Sequence, residues 1–306
     1  MSFVPLDEIR SARQIPNDEL APASEERTGR LPSWFKVKIR QGPDYQDIRN
    51  TMDRLGLHTI CEEARCPNVW ECWNARTATF LILGDICTRR CHYCAVKTGR
   101  PLALDPKEPL RVAQAVQALG LRHVVITSVN RDELEDGGAE VFAETIRQIR
   151  HLIPTCAIEV LIPDFLGDHN ALRVIVKVKP DIVNHNIETV RRLFPSIRPQ
   201  GKYDRSLDLL DCAKRLGART KSGLIVGMGE TLEEAREVMR DVRAAGCDIM
   251  TIGQYLQPTK QHLPVCRFYH PDDFVALKEE GMALGFSHVE SGPLVRSSYH
   301  AAQQAS

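Results

Sequence analysis

Six short apolar runs alternating with amphipathic stretches predict an α/β fold on a parallel sheet, either doubly wound or a full or partial (β/α) barrel. Two further observations support this. Unusual residues gather just past the apolar runs, at the strand ends where such folds keep their chemistry. The chain, at 306 residues, is long enough for one large barrel-like domain or two smaller ones.

Residues 1–45 are proline-rich, charged and weakly periodic, and read as an N-terminal arm packing Trp34 and Phe35 onto the domain. Residues 46–58 read as a short helix. Strands are expected at 78–84, 123–127, 157–162, 182–185, 220–226 and 249–255, with helices at 108–119, 137–152, 168–178, 204–216 and 231–245. Gly120, Gly217 and Gly246 fall where left-handed helix caps are wanted, Pro109 at a first turn, and Thr231 at an N-cap.

Lys+Arg and Asp+Glu balance at 40 each and aromatics are 6%, which argues against a nucleic-acid module or an acidic membrane surface as partner. Apolar content of 43% and charge of 26% are those of a soluble globular chain, with no run long enough to span a membrane. The N-terminus lacks a basic segment followed by an apolar core, and Asp7, Glu8, Asp18, Glu19, Glu25 and Glu26 disfavour a transit peptide. A cytoplasmic location is expected.

Six of the ten cysteines lie in two triplets, Cys61, Cys66, Cys72 and Cys87, Cys91, Cys94. Their clustering, the chain length and the missing signal argue against a disulfide framework. Cys156, Cys212, Cys247 and Cys266 stand alone and read as small buried hydrophobes. Three thiolates fall one short of filling a tetrahedral zinc site or the four irons of a cubane, and a vacant position is usually a reactive one. The second triplet, Cys87-Thr-Arg-Arg-Cys91-His-Tyr-Cys94, directly follows the first apolar run. Its polar intervening residues disfavour a buried helical stripe, and its spacing disfavours structural zinc. The first triplet, with four and five residues between cysteines, fits no common zinc pattern. Gly223–Glu230 is glycine-rich but matches neither common phosphate-binding form, and reads as close backbone packing.

The C-x3-C-x2-C element at the end of a first strand resembles the radical S-adenosylmethionine (SAM) superfamily. That resemblance implies a 4Fe–4S cluster on Cys87, Cys91 and Cys94 whose fourth iron binds SAM, and cleavage of SAM to a 5′-deoxyadenosyl radical. The first triplet in Cys-Glu-Glu-Ala-Arg-Cys-Pro-Asn-Val-Trp-Glu-Cys-Trp, together with Arg296-Ser-Ser-Tyr299, resembles the lipoyl synthase family. So do Thr127-Ser-Val-Asn-Arg-Asp-Glu-Leu134, Asn184-His-Asn-Ile-Glu-Thr189, Lys221–Thr231 and Ile252-Gly-Gln-Tyr-Leu-Gln-Pro258. Coverage runs roughly over residues 30–301.

The family resemblance narrows the fold to a partial (β/α)6 TIM-type barrel. It implies a division into an arm (1–45), an auxiliary-cluster extension (46–77), the barrel (78–270) and a C-terminal helix and tail (271–306). It also implies a second, auxiliary 4Fe–4S cluster on Cys61, Cys66 and Cys72, completed by Ser298, with Ser297 as the alternative. Thr127, Ser128 and Arg131 are candidates for the methionine end of SAM, and Asn186 and Glu188 for its ribose. The implied reaction inserts two sulfurs at C6 and C8 of an octanoyl-lysine, using two SAM molecules and spending the auxiliary cluster. The implied partners are octanoylated lipoyl carrier domains (2-oxoacid dehydrogenase E2 subunits and the glycine cleavage H protein). A low-potential donor of ferredoxin or flavodoxin type and an iron–sulfur carrier for cluster repair are implied as well.

Overall fold

The computed structural model describes residues 31–36 and 42–304. Its strands, in chain order, are β1 (His58–Thr59), β2 (Thr79–Ile82), β3 (Ile86–Cys87), β4 (Lys97–Thr98), β5 (His123–Ser128), β6 (Ala157–Leu161), β7 (Ile182–Asn184), β8 (Thr220–Val226), β9 (Ile249–Gln254) and β10 (His288–Gly292). Eight of these form one sheet in the order β1-β2-β5-β6-β7-β8-β9-β10, while β3 pairs with β4 apart from it. β1 is antiparallel to β2, and the other pairings in the sheet are parallel. The sheet is an open ribbon in this pairing order, as a partial barrel requires.

All six expected strands form, and each expected helix falls between them: Glu108–Ala118, Ala139–Leu152, His169–Lys177, Tyr203–Arg215 and Leu232–Ala244. The helix Ala139–Leu152 buries Phe142, Ile146 and Ile149, the three- and four-residue spacing of one helical face. Gly120, Gly217 and Gly246 take positive φ (61°, 88° and 79°), and Thr231 closes a capping box with Glu234. The early helix is Pro43–Leu55, not 46–58, because Gly56 turns left-handed (φ 58°) and frees His58–Thr59 to pair as β1.

The parallel sheet continues one strand further than expected, through β10. That segment, His288-Val-Glu-Ser-Gly292, buries only Val289, so it carries no apolar run to betray it. The arm is described only at residues 31–36; its remainder lies outside the described residues. Trp34 meets the His270 ring edge-on (5.2 Å) and Phe35 packs on Phe268 (5.5 Å), which places this element against the C-terminal part of the chain.

The segment carrying the first triplet shares a core with the barrel: Ile48, Met52 and Trp73 pack in one cluster with Phe80, Ile126 and Phe142. A second cluster under β8, β9 and β10 joins Leu224, Met239, Ile252 and Phe274. Inside the sheet, Lys221 on β8 and Glu159 on β6 are fully buried and bond at 2.9 and 3.0 Å, with Asn184 on β7 donating to Glu159 at 2.9 Å. Two residues further along these strands, Leu161 and Gly223 line the cavity described next, so the charged layer lies just beneath its floor.

Candidate metal centre and cavity

Both cysteine triplets open onto one cavity of about 450 Å³, at the carboxyl ends of the parallel strands. All six are free thiols. Among the described residues no three His, Cys, Asp or Glu groups close on a single metal ion; the thiols border a larger space instead. A smaller cavity of about 170 Å³ adjoins it at Asn130 and Pro163 and contains none of the cysteines.

The second triplet follows β2 through a turn in which Leu83 and Gly84 both take positive φ (69° and 89°). Cys87 Sγ accepts from the backbone N–H groups of Arg89 (3.4 Å) and Asn130 (3.3 Å), which fix where the sulfur points. Arg89 fixes the loop between Cys87 and Cys91: it makes a two-pronged pair with Asp132 (2.7 Å each) and reaches Asp164 at 2.6 Å. His262 supports the far end, its Nε2–H donating to the Cys94 carbonyl at 3.0 Å while Nδ1 accepts from Thr259. Burial, reinforced by the neighbouring Cys91, pushes the Cys94 thiol up to about 12, and burial raises Cys91 as well.

In the first triplet, Cys61 lies on the short helix Ile60–Glu63, capped by Thr59, and Cys72 on the helix Val69–Asn74. Arg65 at φ 52° turns the chain between them, so that the Cys66 N–H donates back to the Cys61 carbonyl at 2.9 Å. Burial pushes Cys61 up to about 11, with Cys66 adding to it, and burial raises Cys66 and Cys72 too. Thiols so placed become thiolates where a cation takes the proton's place. The Trp73 indole N–H is buried with no conventional acceptor and faces the Cys61 sulfur. Trp70 stacks on Tyr45 at 4.7 Å, so the aromatics here wall the triplet.

The C-terminal tail crosses back to this triplet. Asn68 donates to the Leu294 carbonyl at 2.6 Å and the Tyr299 hydroxyl to Glu71 at 3.0 Å. Between these ties, Ser297 and Ser298 both border the cavity. The charge of Arg296 faces Cys66, and Tyr299 faces Cys72.

Thr127, Ser128, Asn186 and Glu188 line the same cavity. The Ser128 hydroxyl and the Asn186 Oδ1 are buried with no protein partner, which suits walls built to receive a polar ligand. Asn186 Nδ2 donates to Glu188 at 3.1 Å, and burial raises the Glu188 carboxyl. Arg131 must be removed from the set. Its guanidinium is committed to the Leu83 carbonyl (2.8 Å), the Leu102 carbonyl (2.9 Å) and Glu133, and it lines the smaller cavity, so it tethers loops. Sequence reasoning missed Arg198, which is buried, and Arg296, which is half-buried; the charges of both face Glu188, and Arg198 also faces Cys91. Only the chain's return to the cavity makes them visible.

The chain matches the family model of the radical SAM superfamily over residues 81–242 and that of the N-terminal domain of lipoyl synthase over residues 3–66. Among solved structures, methylornithine synthase superposes with a TM-score of 0.53 at 14% identity, covering 83% of this chain and 82% of that one, a likeness of fold alone. A parallel partial barrel whose first strand runs into three cavity-facing thiols is the architecture of a radical SAM enzyme, dependent on SAM and iron–sulfur clusters. The lipoyl synthase of Rubrobacter xylanophilus is 60% identical over 290 residues (94% of this chain, 90% of the relative). That of Symbiobacterium thermophilum is 58% identical over 278 residues (90% and 87%). The chain belongs to the lipoyl synthase family.

Proposed function

We propose that this chain inserts sulfur at C6 and C8 of an octanoyl chain carried on a lysine of a lipoyl carrier protein, with the roles of its residues as follows. Cys87, Cys91 and Cys94 hold the SAM-binding 4Fe–4S cluster, and Cys61, Cys66 and Cys72 with Ser298 hold the auxiliary one. The observation that carries this reading is that both triplets and the serine-bearing tail line a single cavity. The bound clusters and SAM supply electron transfer, carbon-centred radical chemistry and sulfur, which no side chain here could. The residues' own tasks are to hold and orient. Cys87 Sγ is oriented by two backbone N–H groups, and Arg89 and His262 fix the loop that carries the second triplet. Thr127, Ser128, Asn186 and Glu188 form the SAM wall, with Glu188 held between Arg198 and Arg296. Val129, Leu161, Ile162 and Leu224 provide an apolar stretch suited to an acyl chain and shield it from water.

In this reading the four-part division of the chain corresponds to arm, auxiliary-cluster extension, barrel and tail. The carrier substrates are the E2 subunits of 2-oxoacid dehydrogenases and the glycine cleavage H protein. A ferredoxin- or flavodoxin-type donor supplies electrons, an iron–sulfur carrier restores the spent cluster, and the site of action is the cytoplasm. Anaerobic reconstitution with SAM, dithionite and an octanoyl-lysine peptide tests the proposal. It should yield 5′-deoxyadenosine and a dithiolated peptide. No deoxyadenosine would remove the radical SAM assignment, and deoxyadenosine without sulfur-bearing product would remove only the lipoyl one.

A further inference from the structure

The tail carrying Ser297 and Ser298 is fastened on both sides of those residues. Upstream, the Leu294 carbonyl accepts from Asn68, whose side chain is buried (2% exposed). Val295 follows, itself buried, its N–H turned back to the Gly292 carbonyl at 3.1 Å. Its carbonyl lies directly on Gly253 of β9: a methyl group there would overlap the Val295 oxygen and stand 3.0 Å from its carbonyl carbon and 3.4 Å from Arg296 Nη1. Gly253 shows no positive φ, so what calls for glycine here is space for the tail and not backbone conformation. Downstream, Tyr299 donates to Glu71, one residue before Cys72. Only three residues, Arg296 to Ser298, hang between these anchors. Such a span reaches at most about 10 Å, which confines both hydroxyls to the mouth over the first triplet.

None of these fastenings involves a serine side chain. We propose that Gly253, Asn68 and Glu71 form a seat that holds the 294–299 tail over the first triplet independently of the serine's own bond, and so are positioning residues for that ligand. The proposal deepens the reading of Ser298 as a cluster ligand and rests on it. A serine oxygen is a weaker partner for iron than thiolate. With the tail seated by the protein, loss of that bond would free one side chain and leave the segment in place.

The test is hydrogen–deuterium exchange of the tail in the reconstituted holoenzyme, paired with the rate at which an iron chelator strips the auxiliary site. Ser298→Ala should strip faster yet keep parental protection at 295–299. Gly253→Ala and Glu71→Ala should exchange about five- to tenfold faster there, the scale of one lost contact, and strip faster by a similar factor. Glu71→Gln should restore both, because its amide oxygen still accepts from Tyr299. In each variant the electron paramagnetic resonance signal of the SAM-bound cluster should match the parent's, which general unfolding would not allow. The seat is overturned if Ser298→Ala loosens the tail as much as Gly253→Ala does, or if Gly253→Ala and Glu71→Ala leave exchange unaltered. An unchanged stripping rate in Ser298→Ala, with the seat variants behaving as stated, would instead refute the serine as ligand.

Discussion

Arg89, lying between Cys87 and Cys91, places Nη2 2.6 Å from Asp164 while its Nε and Nη2 also grip Asp132 at 2.7 Å. The guanidinium is nearly inaccessible (2% exposed), Asp164 is wholly so, and Arg205 adds a second contact to Asp164 at 3.2 Å. Burial works against the Asp164 charge, but the Arg89 hydrogen bond and charge overcome it and hold the carboxyl well below the usual range. One cysteine-loop residue thus ties the second triplet to the ends of β5 and β6.

Replacing Arg89 by lysine keeps the charge but loses the fork that meets two carboxylates at once. Arg89→Ala should lower stability by about 3 kcal/mol, because buried Asp164 keeps only its longer contact to Arg205 and half-buried Asp132 loses its fork. Arg89→Lys should fall between it and the parent. Urea midpoints report the energies. Iron content should fall at the second triplet before the first, because the loop that loosens carries Cys87 and Cys91.

The Lys221–Glu159 pair predicts a different pattern. Neither residue reaches the cavity, so removing one partner should act on folding. Lys221→Met should cost about 3–5 kcal/mol by stranding Glu159, whereas Lys221→Met with Glu159→Leu should recover most of it. A double-mutant cycle read by denaturation measures this coupling. Additive losses would mean that the two residues act separately.

A pH effect follows from His185. Its Nδ1–H donates to the Ile162 carbonyl at 2.9 Å and its Nε2 accepts from Ser206 at 3.0 Å, so the neutral ring is fully satisfied. Burial first, then the charge of Arg198, lowers its pKa from the ordinary 6.5 to about 4. Between those values the unfolded chain takes up a proton that the folded protein refuses. Stability should therefore decline as pH falls from about 6.5 towards 4, by up to about 3 kcal/mol. His185→Gln should flatten that slope in urea titrations at a series of pH values.

The strands β2 and β5 to β9 were legible in the sequence because each carries apolar residues and is largely buried on both faces, even β8, which opens on Thr220-Lys-Ser-Gly223; the six cysteines were legible because their spacing is chemically unusual. β10 was not, since Val289 is its one buried residue. Arg131 was misread for a related reason: a charged residue past a strand end can face ligand or loop with the same local sequence, and here the Leu83 and Leu102 carbonyls claim it. Arg198 and Arg296 lie 10 and 108 residues beyond Glu188, and only the folded chain brings them to it. Gly253 was visible as a glycine; its reason, the Val295 carbonyl, lies 42 residues away.

Gly223 on β8 tests the proposed SAM wall against general packing. A methyl there would stand 2.8 Å from both Asn186 Oδ1 and Thr251 Oγ1, so one of them must move. Asn186 is the one with a task to lose, since its amide also steadies Glu188. Overpacking of this kind costs about 1–3 kcal/mol. If it falls on the bound state, Gly223→Ala should weaken SAM affinity about tenfold or more, since each 1.4 kcal/mol is a factor of ten. Equilibrium dialysis of SAM against cluster-loaded protein gives the affinity, and iron content at the first triplet should stay parental. Unaltered SAM affinity would take Asn186 and Glu188 out of the binding wall. Affinity lost together with iron at both triplets would assign Gly223 to the fold.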